Sequence, residues 1–529
     1  MERQEVPGVS GLARGFCMGL ALFYIAGPLI IMAELLKPVF WIPVFALFPA
    51  WLAEFDSFLF RDARASGAVP GADVRRSSRP LGLLAPAAVF LLGAFWIYCS
   101  GIGGFTICRW DYLKHNLVFS SLLTGHLPIK SDSGNPNATF IHYYFAYYII
   151  PVRIYQGLQI LIGSLRFDHV LFAIYCLVLF VALRVMAASQ KLPAAGLLAL
   201  LALTGGLDLV GQALLGPGPR IIGRGFGIPV FSEWDWWGVP MAPQSATMNL
   251  FFAPQHFFAA LIGTALLAFV FGLERPAGAK LLHGSAVIAA STLWSPYVAV
   301  GLAAVSLAAV PGLLREVVAG WQGEVRRARR VALRFPFACA FVALLLVFAV
   351  LFYSASLATS PPTLIFQHQS LGPWVLSFLI RQAPAIAALT ALAVERFRGR
   401  PAGENSRKSG GNLLSAFAFL LVAEAVLLCF QHGAYDDWGL RTTLPVSILL
   451  AVALGRFLAD WPGRTGKIVV VLLLAASSLS SVNEFAQSLV LPPQCAPYGI
   501  FNWRDMGSLI TQYEGRSDAL LYRRLTREP

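Results

Sequence analysis

Charge is what this chain lacks most. Asp, Glu, Lys and Arg make up 13% of 529 residues, where soluble domains carry about 25%. With 57% hydrophobic residues and a mean hydropathy of +0.67, there is no room for a large soluble domain. The seven Cys include no Cys-x-x-Cys, which excludes a thioredoxin-type redox motif and the common zinc knuckles. Cys17, Cys99, Cys176, Cys339 and Cys429 fall in or beside apolar runs, where the thiol is a small hydrophobe. Cys108 and Cys495 fall in expected outer segments and are read as unbridged thiols. There is no Walker loop, no dinucleotide fingerprint after a strand and no nucleophile elbow. No His-x-x-x-His spacing, internal repeat or low-complexity tract appears either. The first apolar run, after Arg14, is too long for a signal peptide and lacks an Ala-x-Ala site.

What the chain does have is a succession of long apolar runs. A spanning helix needs about 20 mostly apolar residues, sometimes as few as 17. The runs 15–36, 39–55, 82–106, 168–187, 193–211, 255–273, 336–353, 373–393, 412–430, 442–458 and 468–482 qualify. The stretch 282–313 is broken by Trp294-Ser295-Pro296-Tyr297 and reads as two short helices meeting at the Pro. The expectation is an all-α membrane bundle of about 13 spans. The segment 142–165 is apolar but carries Arg153, Gln156 and Gln159 at helical spacing, with five Tyr. It reads as a helix lying in the membrane interface, within the first large outer loop.

The net charge of +13 then has a lipid explanation, and nucleic acid is not expected as a partner. Basic residues gather in cytoplasmic loops. With the N-terminus cytoplasmic, inner loops hold 25 of the 40 Lys and Arg, including the groups at Arg75–Arg79, Arg326–Arg330 and Arg396–Lys408. The main outer segments become 107–167, 212–254, 354–372, 431–441 and 483–529. Seven of the eight His lie at or outside the outer boundary, only His283 inside.

The outer face is where chemistry is expected. Asp111 follows the run ending at Ile107, and Lys114 and His115 share its face if a helix starts there. A carboxylate so placed is a candidate general base; it is equally a fitting N-cap. Arg220 and Arg224, among Gly and Pro, suit bidentate phosphate binding. Glu233-Trp234-Asp235-Trp236-Trp237 suits sugar stacking or an aromatic belt at the headgroups. Asp208 in Thr-Gly-Gly-Leu-Asp sits at a span end, and His256 opens a span. Arg381 and Glu424 lie inside spans, as a pair or with Arg381 on a lipid phosphate. Asp436, Asp437, Trp438, Arg441 and His432 form one more polar cluster. These His and Asp leave a divalent metal open as a cofactor, with no spacing that fixes its ligands.

Asp111 and the Thr124-Gly125-His126-Leu127-Pro128 turn resemble the first outer loop of the GT-C membrane glycosyltransferases, as does the aromatic, Pro-containing stretch His142–Ile162. The likeness covers residues 82–275. It implies a GT-C-like fold, a polyprenyl-phosphate-linked sugar donor, transfer on the outer face and an acid that activates the acceptor, a role that falls on Asp111. Asp208 is a looser match to the second-loop acid. Two features depart from that pattern: the hairpin 15–55 precedes the motif, and Trp110 and Tyr112 stand where a second acid is usual.

The expected organisation is an N-terminal hairpin with its basic loop (1–80), a GT-C-like module (81–275), C-terminal spans (276–482) and a periplasmic tail (483–529). The Ala, Arg, Gly and Leu usage suggests a GC-rich bacterial source, hence the inner membrane with a periplasmic site. The expected activity is inverting sugar transfer to a glycan, lipid or protein acceptor. Asp111 is its base. Lys114, His115, Asp208, Arg220, Arg224, Glu233, Asp235, Trp236, His256 and Arg381 are its substrate contacts. Two other classes fit the sequence: a flippase or transporter of lipid-linked glycans, and a non-catalytic relative.

Overall fold

A computed structural model describes residues 11–65, 81–106, 111–130, 138–215, 220–225, 228–232, 245–273, 275, 277–307, 336–356, 362–367, 370–397, 404–432, 437–461, 463–491, 514–516 and 519–526. Among them α-helices dominate. The first six are α1 (Gly11–Leu35), α2 (Pro38–Ala65), α3 (Leu81–Cys99), α4 (Tyr112–Thr124), α5 (Ala146–Ile162) and α6 (Phe167–Gln190). Next come α7 (Ala194–Leu203), α8 (Asp208–Leu215), α9 (Ala246–Phe252), α10 (Pro254–Gly272), α11 (Ala277–Trp294), α12 (Pro296–Ser306) and α13 (Pro336–Ser354). The last are α14 (Leu371–Arg381), α15 (Ala383–Phe397), α16 (Glu404–Leu427), α17 (Asp437–Thr442), α18 (Leu444–Asp460) and α19 (Arg464–Val490). Six are long and apolar enough to cross a membrane, seven if the bent pair α14–α15 is one span. This is a multi-pass membrane protein of helical architecture.

Helix α10 is the axis. It is buried on almost every side and packs against α6, α11, α1 and α18. A helix apolar all round has to be buried or face lipid, and this one is enclosed by protein. Tyr24 of α1 donates to the Ala259 carbonyl at 3.0 Å, stacks on Trp294 and accepts the Trp294 indole N–H at its own carbonyl, 2.8 Å away. A second, smaller core joins α12, α15, α16, α18 and α19.

Three expected spans come out differently. The run 193–211 is two helices: α7 has 10 residues, or about 15 Å at 1.5 Å per residue, and stops at Thr204-Gly205-Gly206, where Gly206 takes φ +87°. The run 373–393 is bent by 77° at Gln382. The run 468–482 extends in both directions to Arg464–Val490. Its C-terminal half turns Ser477, Ser480, Ser481, Asn483, Glu484, Gln487 and Ser488 inward, so an apolar-run criterion ends it too early. The expected interfacial segment forms α5, buried over Ala146–Val152 and exposing Ile160, Leu161 and Ile162 at its far end.

Segments assigned to one side of the membrane by sequence meet one another. Strand β1 (Ala138–Ile141) pairs antiparallel with Glu514–Arg516 of the tail. Thr526 bridges to Leu36 at the α1–α2 turn, and the Arg516 N–H donates to Ala355. Thr363–Leu364 pairs with Phe430–Gln431. Strands β2 (Arg220–Gly225) and β3 (Ile228–Ser232) form a hairpin packed on α19.

Candidate functional site

Asp111 occupies the N-cap position of α4 but caps nothing: its backbone is helical and its side chain accepts no capping hydrogen bond. The carboxylate instead lies 3.5 Å from the Lys114 ammonium, one turn on. Asp111 keeps 28% of its side-chain surface and Lys114 12%. Burial pushes the Asp111 carboxyl up, but the nearby charges, Lys114 first and Arg441 among them, outweigh it and leave Asp111 below its ordinary value. The Lys114 ammonium also stands 5.9 Å over the Tyr143 ring.

His115 lies on the same helix but is closed off. Its Nε2 faces the Phe252 carbonyl at 3.0 Å and its Nδ1 the Tyr148 hydroxyl at 2.6 Å. A carbonyl only accepts, so Nε2 carries the proton and Tyr148 donates to Nδ1. Burial and the Lys114 charge push His115 down to about 3. It is a neutral strut between α4, α5 and α9 rather than an exposed contact for substrate.

Four segments separated in sequence close the site. Tyr144, just before α5, meets His256 at the start of α10, ring centroids 5.3 Å apart, and Tyr297 of α12 at 6.3 Å. Ser295 caps α12 by accepting from the Val298 N–H, and its Oγ lies 2.7 Å from His256 Nδ1. Tyr297 in turn lies beside His432 and Trp438, at 6.1 and 6.5 Å. Helix α17 delivers Arg441, which donates to Asn249 Oδ1 at 2.7 Å and pairs with Asp437 at 3.6 Å. Tyr144 is held neutral, its pKa raised well above 10 by burial and by Tyr297 and Asp437 close by. The result is an aromatic wall with two carboxylates, Asp111 and the Asp437 paired with Arg441, and two cations, Lys114 and Arg441, both of which act on Asp111.

Of the residues read from sequence as substrate contacts, Lys114 and His256 join Asp111 here. Arg220 and Arg224 lie on β2, opposite Ser232 and Pro229, and Asp208 opens α8; only their backbones are described. Glu233, Asp235 and Trp236 lie outside the described residues, as do Cys108 and Cys495. Arg381 is elsewhere, buried at the α14–α15 bend, where its charge reaches Glu424 and the Gln382 amide donates to Glu424 at 2.8 Å. Nothing local in the sequence joins Arg441, Tyr144 and Tyr297 into one site. The available signals were the Ser-Pro helix break and the Asp-Trp-x-x-Arg cluster, which only the fold joins. Among the described residues, no three His, Cys, Asp or Glu side chains converge as a metal cage requires.

A clamp fixes this corner to the bundle. Glu34, near the end of α1, takes two bonds from Arg153 of α5, at 2.6 and 2.7 Å, and one from the Leu127 N–H at 3.1 Å. Arg153 also donates to Gln156 and to the Leu122 and Gly125 carbonyls. The Gly125–Pro128 turn and α5 are thereby held together. Gly27 of α1 lets Ala146 approach so closely that an added Cβ would meet it at 2.9 Å.

The fold and this corner define a polytopic membrane protein with a polar, aromatic-lined site at one end of its bundle. No protein-family description, no curated protein and no solved structure matches the chain.

Proposed function

We propose that this protein is a membrane glycosyltransferase of GT-C type, with about 13 crossings and its site on the periplasmic face of a bacterial inner membrane. The observation that carries the reading is Asp111: a carboxylate that caps nothing, stays ionised, and shares an aromatic-walled site with Lys114 and Arg441. The acceptor O–H would give its proton to the Asp111 carboxylate as its oxygen bonds to the anomeric carbon of the donor sugar. The bond from that carbon to the lipid phosphate oxygen breaks, and its electron pair leaves with the phosphate. Lys114 and Arg441 then face the charge that grows on the leaving phosphate. Tyr144, Tyr297 and Trp438 offer ring faces to the sugar. A carboxylate held below its ordinary value is a weak base but an always-charged acceptor, so orienting the hydroxyl is a large part of its role.

The test is sugar transfer or donor hydrolysis by the purified protein across a panel of polyprenyl-phosphate sugars, beside Asp111→Asn. General-base loss predicts a drop of about a hundredfold or more in the variant. Equal turnover in both removes Asp111 from the chemistry. A second reading, a flippase or transporter of lipid-linked glycans, is favoured by one observation: the 77° break at Gln382 with Arg381 and Glu424 buried beside it. Broken helices with buried charge are the usual transport machinery. That reading predicts lipid-linked glycan translocation in vesicles that survives Asp111→Asn and is lost on Glu424→Gln.

A further inference from the structure

The turn after α7 and the break between α14 and α15 frame a partly open cavity of about 60 Å³. At about 10–15 Å³ per water, that holds about four waters, the bulk of one phosphate group. Its polar side is Thr204, Gly205, Gly206, Ser245, Arg381 and Gln382. Its other side is apolar but for Ser447, from Leu200 and Leu201 to Leu450, Ala451 and Leu454. It shares no lining residue with the Asp111 corner.

Three features there favour an anion. Arg381 brings a cation that is almost wholly buried. The N–H groups of buried Gly205 and Gly206 make no hydrogen bond to the described residues. Buried backbone donors are rarely left unmatched, and successive N–H groups around a positive-φ residue form an anion-binding nest; Gly206 sits at φ +87°. No other residue is easily accommodated at Gly206, since a Cβ would meet the Arg381 Cα at 3.2 Å. Finally, the 15-residue helix α15 begins at the cavity, and helix N-termini attract anions; of its lining residues there only Ala385 has an N–H to offer, since the Gln382 N–H is bonded to the Phe378 carbonyl and Pro384 has none. Glu424, the carboxylate in the field of Arg381, is not part of the lining.

We propose that this cavity binds a phosphate group carried by a membrane lipid, with Arg381 and the Gly205–Gly206 amides as its ligands. The apolar half suits the first carbons attached to such a headgroup. Helix α14 exposes Leu371, Val375, Leu376 and Leu379, an apolar face from which a lipid reaches the bend. The site stands whether or not the protein transfers sugars.

The experiment is native mass spectrometry of the full chain released from phosphatidylglycerol nanodiscs, counting retained lipid, with a melting curve on each variant. Wild type should retain one phospholipid that Arg381→Gln loses by about tenfold in affinity, or about 1.4 kcal/mol. Arg381→Lys should retain part of it. Ala451→Leu fills the cavity with the cation intact and should also lose the lipid. That variant decides the matter if Arg381→Gln does not fold. Asp111→Asn should retain lipid fully, which separates this site from the proposed donor site. Inorganic phosphate that raises the melting point of wild type but not of Ala451→Leu, without lipid retention, assigns the same ligands to a free ion and overturns the lipid source. Equal retention in folded Ala451→Leu and wild type, or loss with Asp111→Asn, overturns the site.

Discussion

The Glu34–Arg153 clamp makes the most quantitative prediction. Arg153→Met removes both guanidinium bonds and leaves the Glu34 carboxylate with the Leu127 N–H and an exposed His126 at 4.0 Å. Stranding one partner of a fully buried pair costs about 3–5 kcal/mol. Here the side chains keep 15% and 17% of their surface, so water relieves part of that and about 2–3 kcal/mol is expected. Glu34→Gln should cost a similar amount by stranding the guanidinium, although Gln156 and two carbonyls still receive it. The double variant has no buried charge left over. It should therefore be destabilised by little more than either single change, giving a coupling of about 2 kcal/mol. The assay is equilibrium unfolding in mixed micelles, run as a double-mutant cycle. Because the pair is largely shielded, the coupling should persist at high salt. Effects that add to within about 0.5 kcal/mol would refute the clamp. The single variants should also lower any activity, because α5 carries Tyr148, the partner of His115 beside Asp111.

Two further outcomes follow from the site's geometry. Gly301→Ala puts a Cβ 2.1 Å from the Thr442 carbonyl, and a backbone atom cannot swing aside. It should displace α17 with Arg441 and lower the melting temperature, whereas Gly19→Ala, with nothing within 4 Å, should be tolerated or gain from helix propensity, by about 1 kcal/mol. Asp111 is held below 3.8, its ordinary value, so its stabilisation is present above that value and is lost only as pH falls through the lower, folded one. An Asp111-dependent rate should therefore be flat from neutral to mildly acidic pH. Lys114→Met should move its acid limb upward, and an unmoved limb in a pH–rate profile would detach Lys114 from Asp111.

Local signals carried well where the cause was local. The three-residue spacing of Asp111 and Lys114 did put the two on one helical face, 3.5 Å apart. The Ser295-Pro296 pair did end one helix and cap the next. The Gly205-Gly206 pair was visible too, yet the apolar sum over 193–211 hid that it stops α7 at Leu203. The alternative role for Asp111, capping α4, was consistent with sequence and is removed only by the backbone angles at that residue.

By itself the sequence determined the class: few charges, long apolar runs, helices and a multi-pass membrane chain, because transfer from water to lipid is close to a sum over residues. The convergence of Asp111, His256, Tyr297 and Arg441 needed the fold, as did the bond between Glu34 and Arg153 across 119 residues and the cavity at the Gln382 bend. Each depends on which helix packs beside which. In lipid, side chains of nearly equal hydropathy leave that choice to shape and a few polar contacts between distant segments, and no local pattern records it.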